Sequence, residues 1–253
     1  MKKIGFGFEI EKKKDNIFLS FKMPIANWKR YASQLIEDKV ILDLKNAKEL
    51  VKTNGDFIVY ELYNLWKSVE RFKKIYEKTK IVSDVTLLNH GIFSLSEKGE
   101  LFTTYGHAHE AEVGEAHFIL KNQCFLILSD RKTNETFIVQ LKEGDFVYIH
   151  PRFLHRSTSF TKDCLLITFA PEKAGHNYLA VKGKGFPFHL FYDKKKKKLE
   201  IKKNKKYKKA KYKLIKKVKK KVNPLNLLIK NPEKLKEILE NPEKYKKIYL
   251  GST

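Results

Sequence analysis

The sequence has no long apolar run. No stretch approaches the roughly 18 consecutive apolar residues that a membrane-spanning helix needs. The N-terminal segment MKKIGFGFEIEKKKDN is basic, but it holds no apolar run long enough for the core of a secretory signal. We therefore interpret this segment as the start of the folded chain, and we expect a cytoplasmic protein that does not contact membranes.

Cysteine is also scarce. The chain has only Cys124 and Cys164, and both stand in apolar runs that have the texture of strands. Disulfides are rare in cytosolic proteins, in which thiols are kept reduced. We expect both thiols to be buried and reduced.

Acidic residues are almost absent from one segment. Residues 194–221 contain 18 lysines and a single acid, Glu200, so they account for +17 of the net charge of +24. Residues 1–193 carry only +5. The basic balance therefore belongs to a tail. We divide the chain into a folded domain, residues 1–193, and a lysine-rich, partly helical or disordered extension, residues 194–253.

The extension has two parts. Residues 194–221 have few large apolar side chains, so repulsion between the lysines should hold this part open or leave at best a marginal helix. Beyond Pro224 come NPEKLKEIL and NPEKYKKIY, which place Asn at an N-cap and Pro at the first helical position. Each of these two segments is predicted to begin a short helix.

The folded part is predicted to be mainly β. Residues 44–55 and 67–80 have apolar residues at helical spacing, whereas residues 56–66 alternate and are rich in β-branched and aromatic residues, as in a strand. MPIANW, near the N-terminus, indicates short strands. From residue 81 to residue 192, short strands alternate with turns, which indicates an antiparallel sandwich or barrel. The strands predicted there are IVSDVTLLNHG, GIFSLS, ELFTTYGHAH, EAHFILKNQCFLILSD, ETFIVQL, FVYIHP and CLLITFAP.

One group of residues on these strands has the composition of a metal site. His107 and His109 are two residues apart and so face the same side of a strand. Glu115 begins the next strand after a short link, and a tight hairpin would bring it beside them, while His155 follows a strand that ends at Pro151. A lone histidine is more often an ordinary surface or core residue. Three imidazoles and a carboxylate at this spacing, however, predict one divalent metal ion, with Fe(II), Mn(II), Co(II), Ni(II) and Zn(II) as candidates.

The motifs resemble those of a known family. GHAH, Glu115 and the run from Gly144 to His155 resemble the cupin superfamily. More narrowly, YELY, the threonine of VTLLNHG, TYGHAH, GDFVYIHPRFLHRS and APEKAGHNY resemble the archaeal cupin-type glucose-6-phosphate isomerase family, over about residues 32–197. The resemblance implies a cupin double-stranded β-helix (jelly-roll) barrel with flanking helices, and a homodimer. It also implies a metal-dependent enzyme that interconverts glucose 6-phosphate and fructose 6-phosphate in glycolysis and gluconeogenesis.

The resemblance further implies roles for individual residues. The family's metal positions match the four residues already derived, and Fe(II) is the first choice of ion. His176 would lie near the sugar. Without the resemblance, the tyrosines and threonines of the implied phosphate pocket would be ordinary core, rim or strand residues. With it, hydroxyls and a glycine amide are expected to donate to phosphate oxygens from Tyr60, Thr86, Thr104, Gly106 and Tyr178.

The catalytic residues are predicted to be Glu115, His176 and His117. Glu115 could carry a proton between C1 and C2 of the sugar, but a carboxylate held by a cation has a lowered pKa and is a weaker base. His176 is the alternative proton carrier, and a hydride shift between the carbons is another alternative. The family usually has an aromatic residue at the position of Ala108 and a tyrosine at that of His117. Both changes are expected to lie in the pocket, where they can alter the substrate.

Two rival functions stay open. A cupin with the same metal could act on another sugar or small molecule. A cupin that senses a sugar or a metal could instead bind nucleic acid through its tail, because the lysines of residues 194–221 are interleaved with Tyr207 and Tyr212 and can neutralise phosphates with little sequence preference. A solvated, disordered extension is the commoner fate of such runs.

Overall fold

The computed structural model describes residues 6–21, 25, 27–218 and 221–250. The helices, in chain order, are α1 (Ala32–Glu37), α2 (Leu44–Asn54), α3 (Leu65–Ser68), α4 (Glu70–Thr79), α5 (Pro224–Lys230) and α6 (Pro232–Glu240). The strands, in chain order, are β1 (Phe8–Lys13), β2 (Asn16–Phe21), β3 (Asn27–Tyr31), β4 (Ile58–Asn64), β5 (Ile81–Leu88), β6 (Lys98–Glu100), β7 (Glu115–Lys121), β8 (Gln123–Asp130), β9 (Glu135–Lys142), β10 (Phe146–Ile149), β11 (Phe153–Thr158), β12 (Cys164–Pro171), β13 (Phe188–Asp193), β14 (Lys198–Lys203) and β15 (Lys211–Ile215).

Two sheets form the centre of the fold. One has six strands in the order β10-β7-β12-β5-β4-β3, and the other has four in the order β11-β8-β9-β15. β15 lies parallel to β9, and the other neighbours in these two sheets are antiparallel. Buried side chains from both sheets, among them Ile119, Leu126, Val139 and Leu166, share one hydrophobic cluster. The fold is therefore mainly β, as the sequence predicts.

The six-stranded sheet has one face in a hydrophobic core and the other toward a cavity. On its apolar face, Val85, Phe118 and Ile167 pack in one cluster with side chains of α3, α4, α5 and α6. Thr86 and His117 alternate with these apolar residues along β5 and β7, and they line the cavity. Because successive side chains of a strand point to opposite faces, the same strands supply a core and a site.

The apolar run predicted as one strand over residues 115–130 is two strands. β7 belongs to the six-stranded sheet and β8 to the four-stranded sheet. Between them Asn122 has a φ of +59°, a left-handed conformation that asparagine tolerates better than most residues. The chain turns here from one sheet to the other. Because both strands are largely buried, the apolar pattern continues through the corner and hides it.

Two further predicted strands are reduced to shorter pairings. GIFSLS, residues 91–96, contains an isolated bridge from Ile92 to Leu101 rather than a strand. ELFTTYGHAH contributes its first residue to β6 and then forms isolated bridges, including one from His107 to His155. The backbone of this segment stays next to β11 without forming a regular ladder.

The elements before β5 agree with the sequence pattern. The helix predicted over residues 44–55 is α2, and the Asp43 side chain caps it by accepting from the Asn46 N–H at 3.4 Å. The strand predicted over residues 56–66 is β4, and the helix predicted over residues 67–80 is α4, preceded by the short α3. Of the short strands predicted around MPIANW, β3 is present, and residues 22–24 and 26 lie outside the described residues.

The prediction for residues 194–221 is wrong. Instead of staying open or forming a marginal helix, this segment contains β14, which pairs with β13, and β15, which pairs with β9. Leu199 and Ile201 alternate along β14 and pack against the core. Lys198 and Lys202, on either side of this pair, are exposed, because alternate residues of a strand face outward and keep their charged ends in water.

Two polar side chains fasten the segment between these strands. Buried Asn204 donates from Nδ2 to the carbonyl oxygens of Lys184, at 2.7 Å, and Phe186, at 3.0 Å. Tyr207 donates its hydroxyl to the carbonyl oxygen of Gly185 at 2.8 Å. The lysine-rich segment is thus built into the fold. The division of the chain after residue 193 into two domains stays a prediction.

The two similar C-terminal segments differ in structure. α6 begins as predicted, with the Asn231 side chain accepting from the Lys234 N–H at 3.1 Å. Residues 241–249, predicted as a second helix, form a run of turns instead. Tyr249 donates its hydroxyl to the carbonyl oxygen of Ile238 at 2.8 Å. This contact folds the segment back against α6.

Both cysteines are free and buried, as predicted. In the part of the chain that the structure describes, we find no helix with the length and apolar character needed to cross a membrane.

Candidate metal centre and cavity

Three histidines and a glutamate meet between the two sheets. The segment after β6 pairs with β11, where the His107 N–H donates to the His155 carbonyl at 3.1 Å and the His155 N–H donates back at 3.0 Å. Glu115 is the first residue of β7, in the facing sheet. The possible ligand atoms of His107, His109, Glu115 and His155 all lie within 4.8 Å of one another. These four side chains could hold a metal ion.

The route by which Glu115 reaches this place differs from the predicted hairpin. β7 pairs with β10 and β12, not with the segment that carries His107 and His109. Residues 110–114 cross from one sheet to the other, so the carboxylate faces the imidazoles across the interior. A local hairpin was the simplest way to join two neighbouring predicted strands, but the strands belong to different sheets.

The hydrogen bonds orient the imidazoles toward one point. His109 Nδ1 donates to the carbonyl oxygen of Val113 at 2.6 Å, which leaves Nε2 to face Glu115 Oε2 at 3.0 Å. A ring N–H held by a backbone carbonyl is the usual support of a metal-binding histidine. His155 Nε2 also lies 3.0 Å from Glu115 Oε2, and His107 Nε2 lies 3.9 Å from it.

Four buried imidazole nitrogens of the site have no hydrogen-bond partner within the described residues, namely Nε2 of His107, both ring nitrogens of His155 and Nδ1 of His117. Two of them, Nε2 of His107 and Nε2 of His155, face Glu115 Oε2. An unsatisfied buried polar atom is costly and calls for a physical explanation. A divalent cation between the three imidazoles and the carboxylate would give both nitrogens a ligand bond, so the residues present fit a metal ion.

The protonation states of three of the four side chains also suit a cation. The exception is His109, because burial lowers its pKa but Glu115 outweighs burial and raises it. Burial lowers the pKa of His107, and the nearby His155 lowers it further. Burial likewise lowers the pKa of His155. Burial raises the pKa of Glu115, but His117, His155 and the hydrogen bond from His109 outweigh that effect and hold it well below its ordinary value. Metal binding requires neutral imidazoles and an ionised carboxylate, and His107, His155 and Glu115 tend to these states.

His117 lies against the second oxygen of Glu115. Its Nε2 is 2.8 Å from Oε1, whereas the three candidate metal ligands face Oε2. The expectation that His117 lies on the same face as Glu115, near the metal position, is therefore confirmed. Its catalytic role stays a prediction.

Ala108 does not lie in the cavity, contrary to the prediction. It is fully buried in a hydrophobic cluster with Tyr105 and Phe186. Its backbone bridges to Asn177. Because His107 and His109 face inward, the side chain between them faces outward. The small residue at this position therefore leaves the cavity wall unchanged.

The loop after β12 brings two further predicted residues to the site. The His176 ring lies 4.4 Å from the His107 ring, measured between centroids. Its plane is nearly parallel to that of Tyr178, 5.8 Å away. Burial lowers the pKa of His176 and raises that of Tyr178 to about 12. Both rings border the candidate metal position.

The site opens into a cavity of about 480 Å³. This volume is in the range of small-molecule sites. All the residues predicted for substrate, catalysis and metal line it, namely Tyr60, Thr86, Thr104, Gly106, His107, His109, Glu115, His117, His155, His176 and Tyr178. The structure thus brings the predicted set together. The roles assigned to its members stay predictions.

Some predicted phosphate contacts already have protein partners. The Tyr60 hydroxyl accepts from Arg30 Nε at 3.4 Å. The Thr104 hydroxyl oxygen accepts from the Ser157 N–H at 3.0 Å. Gly106 has a φ of +80°, and a Cβ there would lie 2.6 Å from the Phe186 ring. Close packing therefore accounts for the glycine whether or not its amide meets a phosphate.

Sequence reasoning missed Arg30. This half-buried residue lines the cavity, and its guanidinium lies 5.1 Å from the Trp28 ring centroid and 5.2 Å from that of Tyr105. A guanidinium in a small cavity favours an anionic ligand. A single arginine in a predicted strand carries no motif. Only the pairing of Arg30 with Tyr60 across β3 and β4 reveals it.

Comparison with known proteins finds a matching family and similar relatives. The family model described as glucose-6-phosphate isomerase (GPI) matches residues 31–208. Glucose-6-phosphate isomerase of Thermococcus onnurineus is 27% identical over 152 residues, which are 56% of this chain and 80% of the relative. The same-named protein of Thermococcus kodakarensis is 25% identical over 147 residues, 57% of this chain and 70% of the relative.

Among solved structures, oxalate decarboxylase of Bacillus subtilis is similar at 15% identity, with a TM-score of 0.34. The match covers 46% of this chain and 26% of that protein. A similarity this low does not indicate a shared function.

Proposed function

Because the chain belongs to the glucose-6-phosphate isomerase family, we propose that it is a metal-dependent aldose–ketose isomerase that interconverts glucose 6-phosphate and fructose 6-phosphate. One structural observation supports the proposal above the others. Three imidazoles, of which His107 is half-buried and the other two are buried, converge with a buried carboxylate in the cavity. Nε2 of His107 and both ring nitrogens of His155 lack a hydrogen-bond partner within the described residues. Fe(II) is the first choice of ion, with Mn(II), Ni(II), Co(II) and Zn(II) as alternatives.

The reaction moves a carbonyl group between C1 and C2 of the sugar, so one carbon loses a proton and its neighbour gains one. His107, His109, Glu115 and His155 would hold the metal. When bound, it supplies Lewis-acid stabilisation for the negative charge that develops on the sugar oxygens. The remaining task of the protein is to move the proton and to hold the substrate in place.

Glu115 is the proposed proton carrier. Its two oxygens have different partners, since Oε2 faces the other metal ligands while Oε1 lies 2.8 Å from His117 Nε2. This division eases the conflict between binding a cation and acting as a base. One oxygen can stay with the ligands while the other exchanges a proton with the sugar, with His117 as its hydrogen-bond partner. His176 is the alternative carrier, and a hydride shift is the alternative mechanism.

The phosphate group of the substrate is proposed to lie away from the Glu115 carboxylate. Arg30 supplies the positive charge, and Tyr60 shares a hydrogen bond with it. Further polar contacts would come from groups that line the same cavity, namely Thr86, Thr104, Gly106 and Tyr178.

The test is conversion of fructose 6-phosphate to glucose 6-phosphate by protein that has been stripped of metal and reloaded separately with Fe(II), Mn(II), Ni(II) or Zn(II). We expect one equivalent of metal per chain and metal-dependent turnover. Glu115→Gln should lower turnover by roughly a hundredfold or more, because it removes a ligand and a proton carrier. Glu112→Gln is the matched control, since this exposed carboxylate lies in the link that precedes β7 and pairs with Arg131.

The outcomes separate the parts of the proposal. Stoichiometric metal without turnover would remove the isomerase assignment and keep the metal site. Turnover that is equal in stripped and reloaded protein would remove the metal dependence. Loss of activity in the Glu112→Gln control as large as in Glu115→Gln would show that the link, rather than the ligand, matters.

A further inference from the structure

The cavity floor contains a row of four polar residues, three of which have no part in the motifs or in the metal site. The six-stranded sheet aligns Asn64 of β4 with Asp84 of β5, Asp84 with Thr168 of β12, and Thr168 with His117 of β7. All four residues line the cavity. Four neighbouring strands thus present an amide, a carboxylate, a hydroxyl and an imidazole side by side, about 4.8 Å apart.

The rows on either side are mainly apolar. The row two residues away in one direction consists of Leu62, Thr86, Leu166 and Ile119. In the other direction Val82 lies opposite Ala170. Polar groups inside a β-barrel are costly unless they have partners. Asn64 and Asp84 partner each other, and His117 partners Glu115. The hydrogen-bonding capacity that these groups and Thr168 retain faces the cavity, where a polar ligand can use it.

Asp84 is the central member of this row. It is half-buried, and its Oδ1 accepts from Asn64 Nδ2 at 2.7 Å. Burial raises the pKa of Asp84 to about 6, the Asn64 hydrogen bond opposes this rise, and the charge of Glu115 adds to it. The Trp66 side chain and the charge of Lys67 also lower the pKa of Asp84. The carboxylate thus keeps acceptor capacity that can be directed into the cavity.

The charges of the cavity give a ligand one orientation. Arg30 pairs with Tyr60, four residues before Asn64 on β4 and so roughly 13 Å from the polar row. Glu115 lies two residues before His117, on the opposite side of the row. An anionic group is attracted to Arg30 and repelled by Asp84. Along the strands the polar row lies between Tyr60 and Glu115, so a sugar phosphate whose anionic group is drawn toward Arg30 directs its hydroxyl-bearing chain toward the row.

We propose that Asn64, Asp84, Thr168 and His117 form a subsite for the chain hydroxyl groups of a sugar phosphate, and that this subsite determines which sugar the cavity accepts. The proposal rests on the proposed function, because it takes a sugar phosphate as the ligand. Carboxylates and carboxamides suit this task because both accept hydroxyl hydrogen bonds, and the amide can also donate. An apolar wall discriminates poorly between chains with and without hydroxyls, whereas a polar site strongly rejects a ligand that leaves it unpaired.

The experiment compares two ligands of equal chain length on the metal-loaded protein. Glucitol 6-phosphate carries hydroxyls on five of its six carbons, and hexyl phosphate carries none. Calorimetric titration should give at least about tenfold weaker binding of glucitol 6-phosphate by Asp84→Ala, since a lost hydrogen bond to a charged group has this size. Hexyl phosphate should bind this variant as well as, or better than, the parent protein. Glu61→Gln is the control, because Glu61 is on β4 but faces the opposite side from Asn64.

A second variant covers the case in which Asp84→Ala fails to fold. Thr168→Val removes a hydroxyl with almost no change in shape, and it should weaken glucitol 6-phosphate but not hexyl phosphate. Equal weakening of both ligands, or of neither, in the folded variants would overturn the subsite. If the subsite behaves as expected but the reloaded protein does not convert fructose 6-phosphate, the isomerase proposal fails and the hydroxyl subsite stands for another sugar phosphate.

Discussion

Gly106 stands directly before the first candidate metal ligand, and its surroundings leave no room for a side chain. An added Cβ would lie 2.6 Å from the Phe186 ring and 2.9 Å from Arg156 Cβ. Its φ of +80° also disfavours any other residue. Arg156 directly follows His155, so a shift at residue 106 would move both sides of the His107–His155 pairing. This residue therefore connects backbone geometry to the metal site.

Gly106→Ala is expected to lower the free energy of unfolding by about 2 kcal/mol or more, because overpacking adds to backbone strain. It should also reduce metal affinity. Gly144→Ala is the matched control, since Gly144 has the same φ of +80° but nothing within 4 Å of the added Cβ. Urea unfolding and metal titration of both variants would test this. Equal losses in the two variants would mean that backbone strain alone matters and that the contact with Phe186 does not.

At this scale the sequence predicted side-chain direction well and partners poorly. Alternation correctly placed His107 and His109 on one face, and it should have placed Ala108 outside the cavity. Nothing in the sequence assigned Asp84 to the site, because a single aspartate in a predicted strand belongs to no motif. It gains meaning only from its alignment with Asn64 and Thr168. Register between distant strands is set by tertiary packing, which local patterns do not contain.

A buried charged cluster joins several elements behind the site. Glu100, at the end of β6, accepts from His189 Nδ1 of β13 at 2.6 Å and from the Leu42 and Asp43 N–H groups before α2. Arg156 of β11 lies beside the same His189 nitrogen, with Nη2 at 3.1 Å. The cluster is fully enclosed, so each charge depends on its neighbours.

Glu100→Gln is expected to destabilise the protein by about 3–5 kcal/mol at pH 7, because it leaves the Arg156 charge buried without its counter-charge. Burial raises the pKa of Glu100, but His189 and Arg156 outweigh burial and bring it below its ordinary value. A depressed pKa in the folded state contributes stability above the unfolded value, near 4.5, and this contribution is lost as the pH falls through the folded value. The difference between parent and variant should therefore shrink below about pH 4.5.

Urea unfolding at pH 7, 5.5 and 4 would measure this difference. Glu143→Gln is the control, because the Glu143–Lys121 pair is partly exposed and should contribute little. A difference for Glu100→Gln that stays constant down to pH 4 would contradict the assignment of an ionised Glu100 in the cluster.

The secondary structure elements were predicted best where the pattern was local. α2, α4, β4 and β5 follow from periodicity and capping residues, whereas the corner at Asn122 and the strands β14 and β15 do not. In the lysine-rich segment, charge dominated the composition, and the alternation of Leu199 and Ile201 was too brief to indicate a strand. What orders the segment is long-range, since β15 completes an edge beside β9. Such pairing cannot be derived from composition.

On the scale of the whole molecule, the positive charge is concentrated in one segment of the chain. Residues 194–221 hold 18 lysines and one acid, and β14 and β15 hold five of these lysines on the protein. The homodimer implied by the family resemblance stays a prediction. The tail is also expected to bind nucleic acid. Because β14 and β15 are ordered, their lysines and the exposed Tyr212 can contact single-stranded nucleic acid without the cost of first ordering a flexible tail.

We propose that the lysine-rich segment, residues 194–221, binds single-stranded RNA with little sequence preference and strong salt dependence. Truncation after residue 193 would be a poor test, because it would remove β14 and β15 and expose the edge of β9. Charge-neutral substitutions at the exposed Lys205, Lys209 and Lys216, each to Gln, leave the backbone pairing in place. We expect weaker binding of a labelled oligonucleotide and a slope of log K against log salt that is smaller by about 2, since each phosphate contact with a single strand contributes about 0.7.

The matched control is a triple substitution to Gln of the exposed lysines on α2, at residues 45, 48 and 52. It removes the same net charge from another part of the surface. Electrophoretic mobility shifts at several salt concentrations would compare the two variants. If both lose affinity equally, the attraction comes from net charge alone and the lysine-rich segment forms no binding surface. If only the variant of Lys205, Lys209 and Lys216 weakens, these lysines act through their place in the fold, and the lysine-rich segment has a function that depends on its order.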